Sequence, residues 1–371
     1  MEPAWPHAGV SARDLRASGE KTSFPGIGRF RILAATQSGK MPAMLAMRMG
    51  LGVAIAGMLV GHAAQASEGG ASMYLLGSGG PGVAVMPPIE GVFFGNTAYY
   101  YDGKASGGRN FLVGGNLVAG LKAKIVADFA TVIWVPATNL GGGTLALGAV
   151  LPVGDPKVNV SAVITGPLGN SFNLSRSDSQ TLMGDPLLTA MWGWKSGDVH
   201  IQASTIVNIP IGQYRHDKLA NLAFHRWAGD VSLAGTWRNE TSGWDVSGKA
   251  GFTFNGENHY TDYDTGTEFH LEGSVEKIFS PALSLGVQGY YFNQVSGDSG
   301  AGARLGSFEG EVTGIGATGA YNFKIADKIP ATLRLHAFHE FNAMNRLKGD
   351  SVFLDFTMPL YVKLPPSAGV H

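Results

Sequence analysis

The sequence predicts an all-β chain, a transmembrane antiparallel β-barrel of about 14 strands (about 12 being the alternative count) behind an irregular N-terminal leader or plug. Three observations carry this. Segments about 10 residues long alternate polar and apolar side chains, the period of a strand with one wet and one oily face. Only 15% of the residues are charged, where soluble domains carry about 25%, so part of the surface avoids water. A secretory segment lies at 41–66, and nothing after it resembles a membrane helix.

The clearest alternation is TEFHLEGSVEKIF at 267–279. Glu268, His270, Glu272 and Glu276 share one face, and Phe269, Leu271 and Val275 the other. A soluble sandwich would show the same period, but its strands are usually about 5–6 residues long, and these keep the roughly 9–11 that cross a bilayer. The apolar face is therefore expected to meet lipid and the polar face the lumen. By the same pattern Asp230, Lys249, Arg334 and His336 line the lumen. Charges of both signs there suggest internal pairing more than an ion filter.

Taken in order, residues 1–40 hold six basic and three acidic side chains. Residues 41–66 read as a signal peptide: a basic start ending at Arg48, the apolar run Met49–Val60, and Ala64-Gln65-Ala66 as a small-residue cleavage site. The run of 12 residues is short of a membrane anchor. A start assigned too early, with Met41, Met44 or Met47 as the true one, is the simplest account of 1–40, and a genuine extension is the alternative. Cleavage near Ala66 delivers the chain to the outer membrane of a Gram-negative bacterium. Residues 67–90, rich in Gly and Pro, form a leader whose Tyr74, Leu75 and Leu76 supply apolar surface for a plug. Folded inside the lumen, such a segment blocks water; the alternative is a periplasmic tail.

Residues 91–362 are expected to form the barrel, with strands near 91–101, 112–123, 125–135, 144–152, 157–165, 185–194, 199–208, 227–237, 244–254, 267–278, 282–293, 310–323, 330–341 and 351–361, and 363–371 as a tail. The stretch 128–136 is nearly apolar on both faces, which calls for cover inside from the leader or a loop. Connections at 166–184, 209–226, 255–266 and 294–309 are long enough for external loops, and 239–243 and 280–281 for periplasmic turns. Trp237 and Trp244, Tyr99-Tyr100-Tyr101 and Tyr290-Tyr291-Phe292 are placed as an interfacial girdle.

Several motifs match chemistry by letters alone. Gly314-Ile-Gly-Ala-Thr-Gly319 fits the dinucleotide fingerprint, but no helix pattern follows it, so it reads as small residues in a strand. Gly297-Asp298-Ser299-Gly300 looks like a protease nucleophile stretch and reads as a turn. Asp262 and Asp264 in a polar loop miss the EF-hand spacing. His336 and His339, three apart on a strand, point to opposite faces. Glu268, His270 and Glu272 could hold a metal across one face but read first as a solvated lining. The chain has no cysteine, a net charge of −1, and nothing that calls for a cofactor, a metal or a nucleic acid.

Asn258–Glu272, with Gly184-Asp185-Pro186, Pro210-Ile-Gly-Gln-Tyr214, and Phe338-His-Glu-Phe-Asn342 followed by Gly349-Asp350, resembles the meta-pathway phenol-degradation protein family over roughly residues 68–361. That resemblance implies an outer-membrane barrel similar to the long-chain fatty-acid and toluene transporters, with an N-terminal plug and passive uptake of hydrophobic or aromatic small molecules, linked to aromatic-compound degradation. The partners it implies are outer-membrane lipid, the substrate and the outer-membrane assembly machinery. The chain runs past Tyr361 where such barrels commonly end on an aromatic residue, so Phe356–Tyr361 would carry the assembly signal internally or the end of the reading is altered. The alternatives are an outer-membrane enzyme of the lipid-hydrolase type, which needs a nucleophile–base pair on adjacent strands, and a structural barrel.

Overall fold

The computed structural model describes residues 70–363 apart from 106–109, 114–115, 166–170 and 308; the extension, the signal peptide with its cleavage site and residues 364–371 lie outside the described residues. Twelve long strands form the wall: β1 Gly91–Ala105, β2 Lys122–Leu140, β3 Gly143–Thr165, β4 Leu187–Ser196, β5 Val199–Asn208, β6 Ala228–Asn239, β7 Trp244–Asn255, β8 Glu268–Ile278, β9 Leu283–Gln294, β10 Glu311–Ile325, β11 Ile329–Met344 and β12 Leu347–Val362. Each pairs antiparallel with the next, and β12 returns to β1 from Gly91↔Val362 to Ala105↔Leu347. Closure leaves no ladder edge, which lipid requires because nothing in a bilayer core satisfies a free backbone group. No helix among the described residues is long and apolar enough to cross a membrane.

The wall has the lower of the two expected strand counts, for two local reasons. The strand expected near 112–123 joins it only from Lys122; Asn110–Val113 and Asn116–Ala119 pair with each other in the β1–β2 connection. Residues 144–165 are one strand instead of two. The sequence Pro152-Val-Gly-Asp-Pro156 is punctuated like a turn, yet the ladder to β2 runs through Phe129↔Pro152 and Ile125↔Pro156. The prolines fall where the other neighbour changes: β3 pairs with β4 as far as Val150, with Leu182–Met183 at Val153 and Gly154, and with Ser171–Ser179 from Lys157. Proline is tolerated where the ladder lacks a regular partner.

Five short turns fall at one end, at 141–142, 197–198, 240–243, 279–282 and 326–328. The opposite end carries the connections at 106–121, 166–186, 209–227, 256–267 and 295–310, and also the tight turn Asn345-Arg346. Asn345 takes φ 54°, a conformation asparagine tolerates better than most residues.

Alternation decides the faces. In β8, Glu268, His270, Glu272, Ser274 and Glu276 are buried inside and Leu271 and Val275 are exposed outside. Trp134, Trp237, Trp244, Tyr321 and Tyr361 ring the outer surface near the short-turn end, and Tyr100, Trp227, Phe254 and Phe341 near the loop end. The expected girdle triplets split, because neighbours on a strand face opposite ways. Tyr100 points outward, while Tyr99 and Tyr101 point in; Tyr290 and Phe292 are likewise buried inside. One carboxylate departs from the apolar belt. Asp128 lies on the outer face of β2 between the two aromatic rings, with Asn96 Nδ2 donating to it at 2.7 Å.

Candidate functional site: a lined cavity inside the barrel

The leader from Gly70 to Glu90 lies against the inner wall. Its backbone cannot join the closed ladder, so its N–H groups take wall side chains as acceptors. Gly77 N and Gly79 N donate to the two oxygens of Glu272 at 2.7 and 2.6 Å. Gly82 N donates to Ser247 Oγ at 2.9 Å, and Ala84 N to Thr236 Oγ1 at 3.2 Å. Glycine is required for this approach: a Cβ on Gly79 would sit 2.4 Å from Glu272 Oε2. Tyr74 stacks on His270 with centroids 3.5 Å apart, and Lys249 Nζ lies 4.8 Å from the Tyr74 centroid. Tyr74 and Leu76 join a buried cluster with Tyr290, Phe292, Phe338 and Phe353, and Leu75 packs on it.

All eight polar positions expected to line the lumen do point inward, but the four on β8 are not solvated. Glu268, His270, Glu272 and Glu276 are each at most 2% exposed. This corrects the expectation of a solvated lining, and the cause is the leader itself, which occupies the space water would fill. Most of these charges are paired. His270 Nε2 lies 2.9 Å from Asp230 Oδ2; Arg334 donates to both oxygens of Glu276 at 2.5 and 3.2 Å; His336 Nε2 lies 2.8 Å from Asp355. Glu268 and Lys249 are the exceptions, with no ion pair among the described residues: Asn255 is the side chain beside Glu268, and Lys249 Nζ lies over the Tyr74 ring.

Ser232, His270 and Asp230 meet inside the barrel, which invites the hydrolase alternative. The geometry does not fit a triad. Ser232 Oγ donates to Asp230 at 2.5 Å, and His270 meets both Asp230 (2.9 Å) and Ser232 (3.4 Å) through the same nitrogen, Nε2, while Nδ1 has no partner. A triad needs one ring nitrogen for the nucleophile and the other for the acid. Tyr74 also covers the imidazole. Ser299, in the loop stretch with protease-like letters, has only Asp264 beside its Oγ, at 3.4 Å.

Beside the leader runs a cavity of about 750 Å³. Its apolar wall is the inner face of β2 (Ile125, Ala127, Phe129, Ile133), the strand whose sequence is apolar on both sides. Tyr99, Phe353, Leu75 and Leu76 complete that wall. Arg334, His336 and Asp355 lie toward the short-turn end, and Glu340 and Arg346 toward the loops. Alternation along β11 puts Glu340 on the face of Arg334 and His336, four residues beyond His336, opposite Leu333 and Leu335. Sequence reasoning missed Arg346, which sits in a turn, where alternation says nothing.

The motif pieces noted in the sequence meet in pairs at the loop end. Asp185 accepts from Gly212 N (2.9 Å), Phe224 N (2.8 Å), His225 N (3.0 Å) and Asn208 Nδ2 (3.0 Å), so one carboxylate holds the 209–227 loop over the cavity. Gly349 N donates to Glu340 Oε2 at 2.8 Å. Tyr263 OH donates to Asp298, which also accepts from Gly266 N at 2.9 Å and Gln294 Nε2 at 2.5 Å. Burial pushes the Asp298 carboxyl up to about 6, against the pull of these donors. A raised folded value means the clasp between the 256–267 and 295–310 loops is strongest when the group is protonated, at acid pH, and weakens as pH rises through about 6. Hydrogen exchange at Asp264, Gly266 and Ser299, corrected for intrinsic rates, is expected to show less protection at pH 7.5 than at pH 5. Asp298→Asn should remove the difference; an equal difference in that variant would assign it elsewhere.

The family model described as "Putative MetA-pathway of phenol degradation" matches residues 106–356, well over half of the chain. The chain belongs to that family. No curated protein matches the chain at a significant level. Among solved structures it is similar to an outer-membrane channel from Pseudomonas putida F1, at 17% identity and a TM-score of 0.59, over 76% of this chain and 99% of the other. That likeness shows the fold, a closed antiparallel β-barrel. The CymD monoaromatic hydrocarbon channel (9% identity, TM-score 0.38, 75% and 90% covered) and a Pseudomonas aeruginosa FadL homologue (12%, 0.33, 76% and 91%) are looser matches, from which nothing is argued.

Proposed function

We propose that this member of the family is a Gram-negative outer-membrane channel for passive uptake of small hydrophobic or aromatic molecules, with the leader 67–90 as its plug. The observation that carries the reading is the cavity: an apolar, aromatic-rich path between β2 and the leader, inside a wall whose outer face suits lipid. Apolar solutes gain from such a path and not from an aqueous pore. The fold shared with the outer-membrane channel from Pseudomonas putida F1 agrees with it. The chain is read as a transporter more than as an enzyme, since the Ser232–His270–Asp230 cluster lacks triad geometry and access. Outer-membrane lipid and the assembly machinery are its expected partners.

The test is permeation of radiolabelled toluene into proteoliposomes at equal protein loading. Faster filling than in protein-free vesicles supports the channel. Equal filling, with the barrel shown folded by heat-modifiable gel migration, removes it.

A further inference from the structure

The hydrogen-bonding capacity left over in the cavity points to the chemistry of the cargo. The carboxylates that line it are all supplied with donors. Glu340 accepts from Tyr101 OH (2.9 Å), Tyr290 OH (3.0 Å) and Gly349 N (2.8 Å). Asp185 has its four donors, and Asp355 has His336 at 2.8 Å and Thr97 Oγ1 at 2.6 Å. Arg334, at the short-turn end, is taken up by Glu276. Arg346 is different. It lines the cavity, is 8% exposed, and its Nη1 has no hydrogen-bond partner. Its guanidinium is held over the Phe292 ring, 3.9 Å from the centroid, so it is fixed in place by a contact that uses none of its N–H groups. Ser351 Oγ, 2% exposed on the same cavity, is also without a partner.

Below these two groups the inner face of β12 continues with Phe353, one inward step or about 6.6 Å from Ser351. Tyr99 lies against Phe353 at 4.8 Å between centroids and against Phe129 at 6.2 Å. A buried, unpaired donor of positive charge thus stands at the loop end of a three-ring apolar wall. A plain hydrocarbon would leave that donor unsatisfied, and a buried unsatisfied donor is costly. A flat ring bearing an anionic oxygen group would pair the donor and place its ring on the wall.

We propose that the preferred cargo is a small aromatic anion of the carboxylate class, its carboxylate taken by Arg346 with Ser351 and its ring seated on Phe129, Tyr99 and Phe353; this rests on the channel reading above. The competing account makes Arg346 a structural counter-charge for the buried carboxylates, with no ligand at all.

The experiment uses the full mature protein in proteoliposomes and in detergent, with benzoate and toluene as probes, and compares wild type with Arg346→Gln and Arg346→Lys. In wild type, benzoate binding by calorimetry is expected, together with benzoate permeation above that of empty vesicles. Arg346→Gln should weaken benzoate binding about 10–100-fold, the size of one charge-assisted hydrogen bond, and lower benzoate permeation by more than it changes toluene permeation. Arg346→Lys should retain part of the benzoate affinity. Should Arg346→Gln fail to fold, the wild-type and Lys proteins decide alone. Toluene permeation without benzoate binding overturns the proposal and leaves the channel standing. Permeation of neither probe overturns both, and equal losses for both probes in the Gln variant assign Arg346 a structural role.

Discussion

Deleting residues 70–88 is expected to leave the barrel folded and to convert it into a conductive, unselective pore. The ladder closes from β12 to β1 without any backbone pair from the leader, so removal opens no sheet edge. What is lost is packing inside: Tyr74, Leu75 and Leu76 leave the cluster around Phe338 and Phe353, at about 1.5–3 kcal/mol for each fully buried apolar side chain. What is left behind is polar and gains water, since Glu272, His270 and Asp245 become lumen surface. Barrels without filling carry an aqueous channel. Planar-bilayer conductance should rise several-fold, and discrimination between apolar and polar solutes should fall. Glu272→Ala is the milder form of the same change. It removes both acceptors of Gly77 and Gly79, and each unsatisfied buried N–H costs about 1–3 kcal/mol. The leader should then detach intermittently, seen as flickering current over an intact barrel. Unchanged conductance and unchanged uptake in the deletion would mean that the leader blocks nothing.

Adjacent positions on β8 should respond very differently to polar substitution. Leu271→Arg places a charge on the outer face among exposed apolar side chains, and is expected to cost about 2–4 kcal/mol if it meets lipid near the midplane. His270→Gln faces inward. A solvated lumen would make it nearly free, but His270 is buried, stacked on Tyr74 and bonded to Asp230. Glutamine can still donate to Asp230, so the expected loss is the ring stack, about 0.5–1.5 kcal/mol. Folding into lipid vesicles, followed by heat-modifiable gel migration, measures both. Equal costs, or a greater cost at 270, would mean that the two faces are assigned the wrong way round.

The inner and outer faces of the wall were legible from single residues. Glu268, His270, Glu272, Glu276, Asp230, Lys249, Arg334 and His336 were all placed on the inner face by alternation alone, because a strand presents a side chain to each face in strict turn. The strand count was less legible. Pro152 and Pro156 carry the letters of a turn, and only the change of partner along β3 shows why the strand runs through them. The girdle triplets misled for the opposite reason, since consecutive aromatics cannot all face lipid on one strand.

By itself, then, the sequence determined that this is a barrel, which face each residue of a cleanly alternating strand such as β8 takes, and that an apolar, Gly-rich leader precedes it, because periodicity and composition are local properties. Only the tertiary structure decided what the lumen contains. That Gly77 and Gly79 bind Glu272, that Ser232, His270 and Asp230 meet without triad geometry, that one cavity runs along β2, and that Arg346 keeps a donor unpaired beside it all depend on contacts between residues far apart in the chain. Closing twelve strands into a ring brings these residues together, and no period along the sequence encodes which of them will touch.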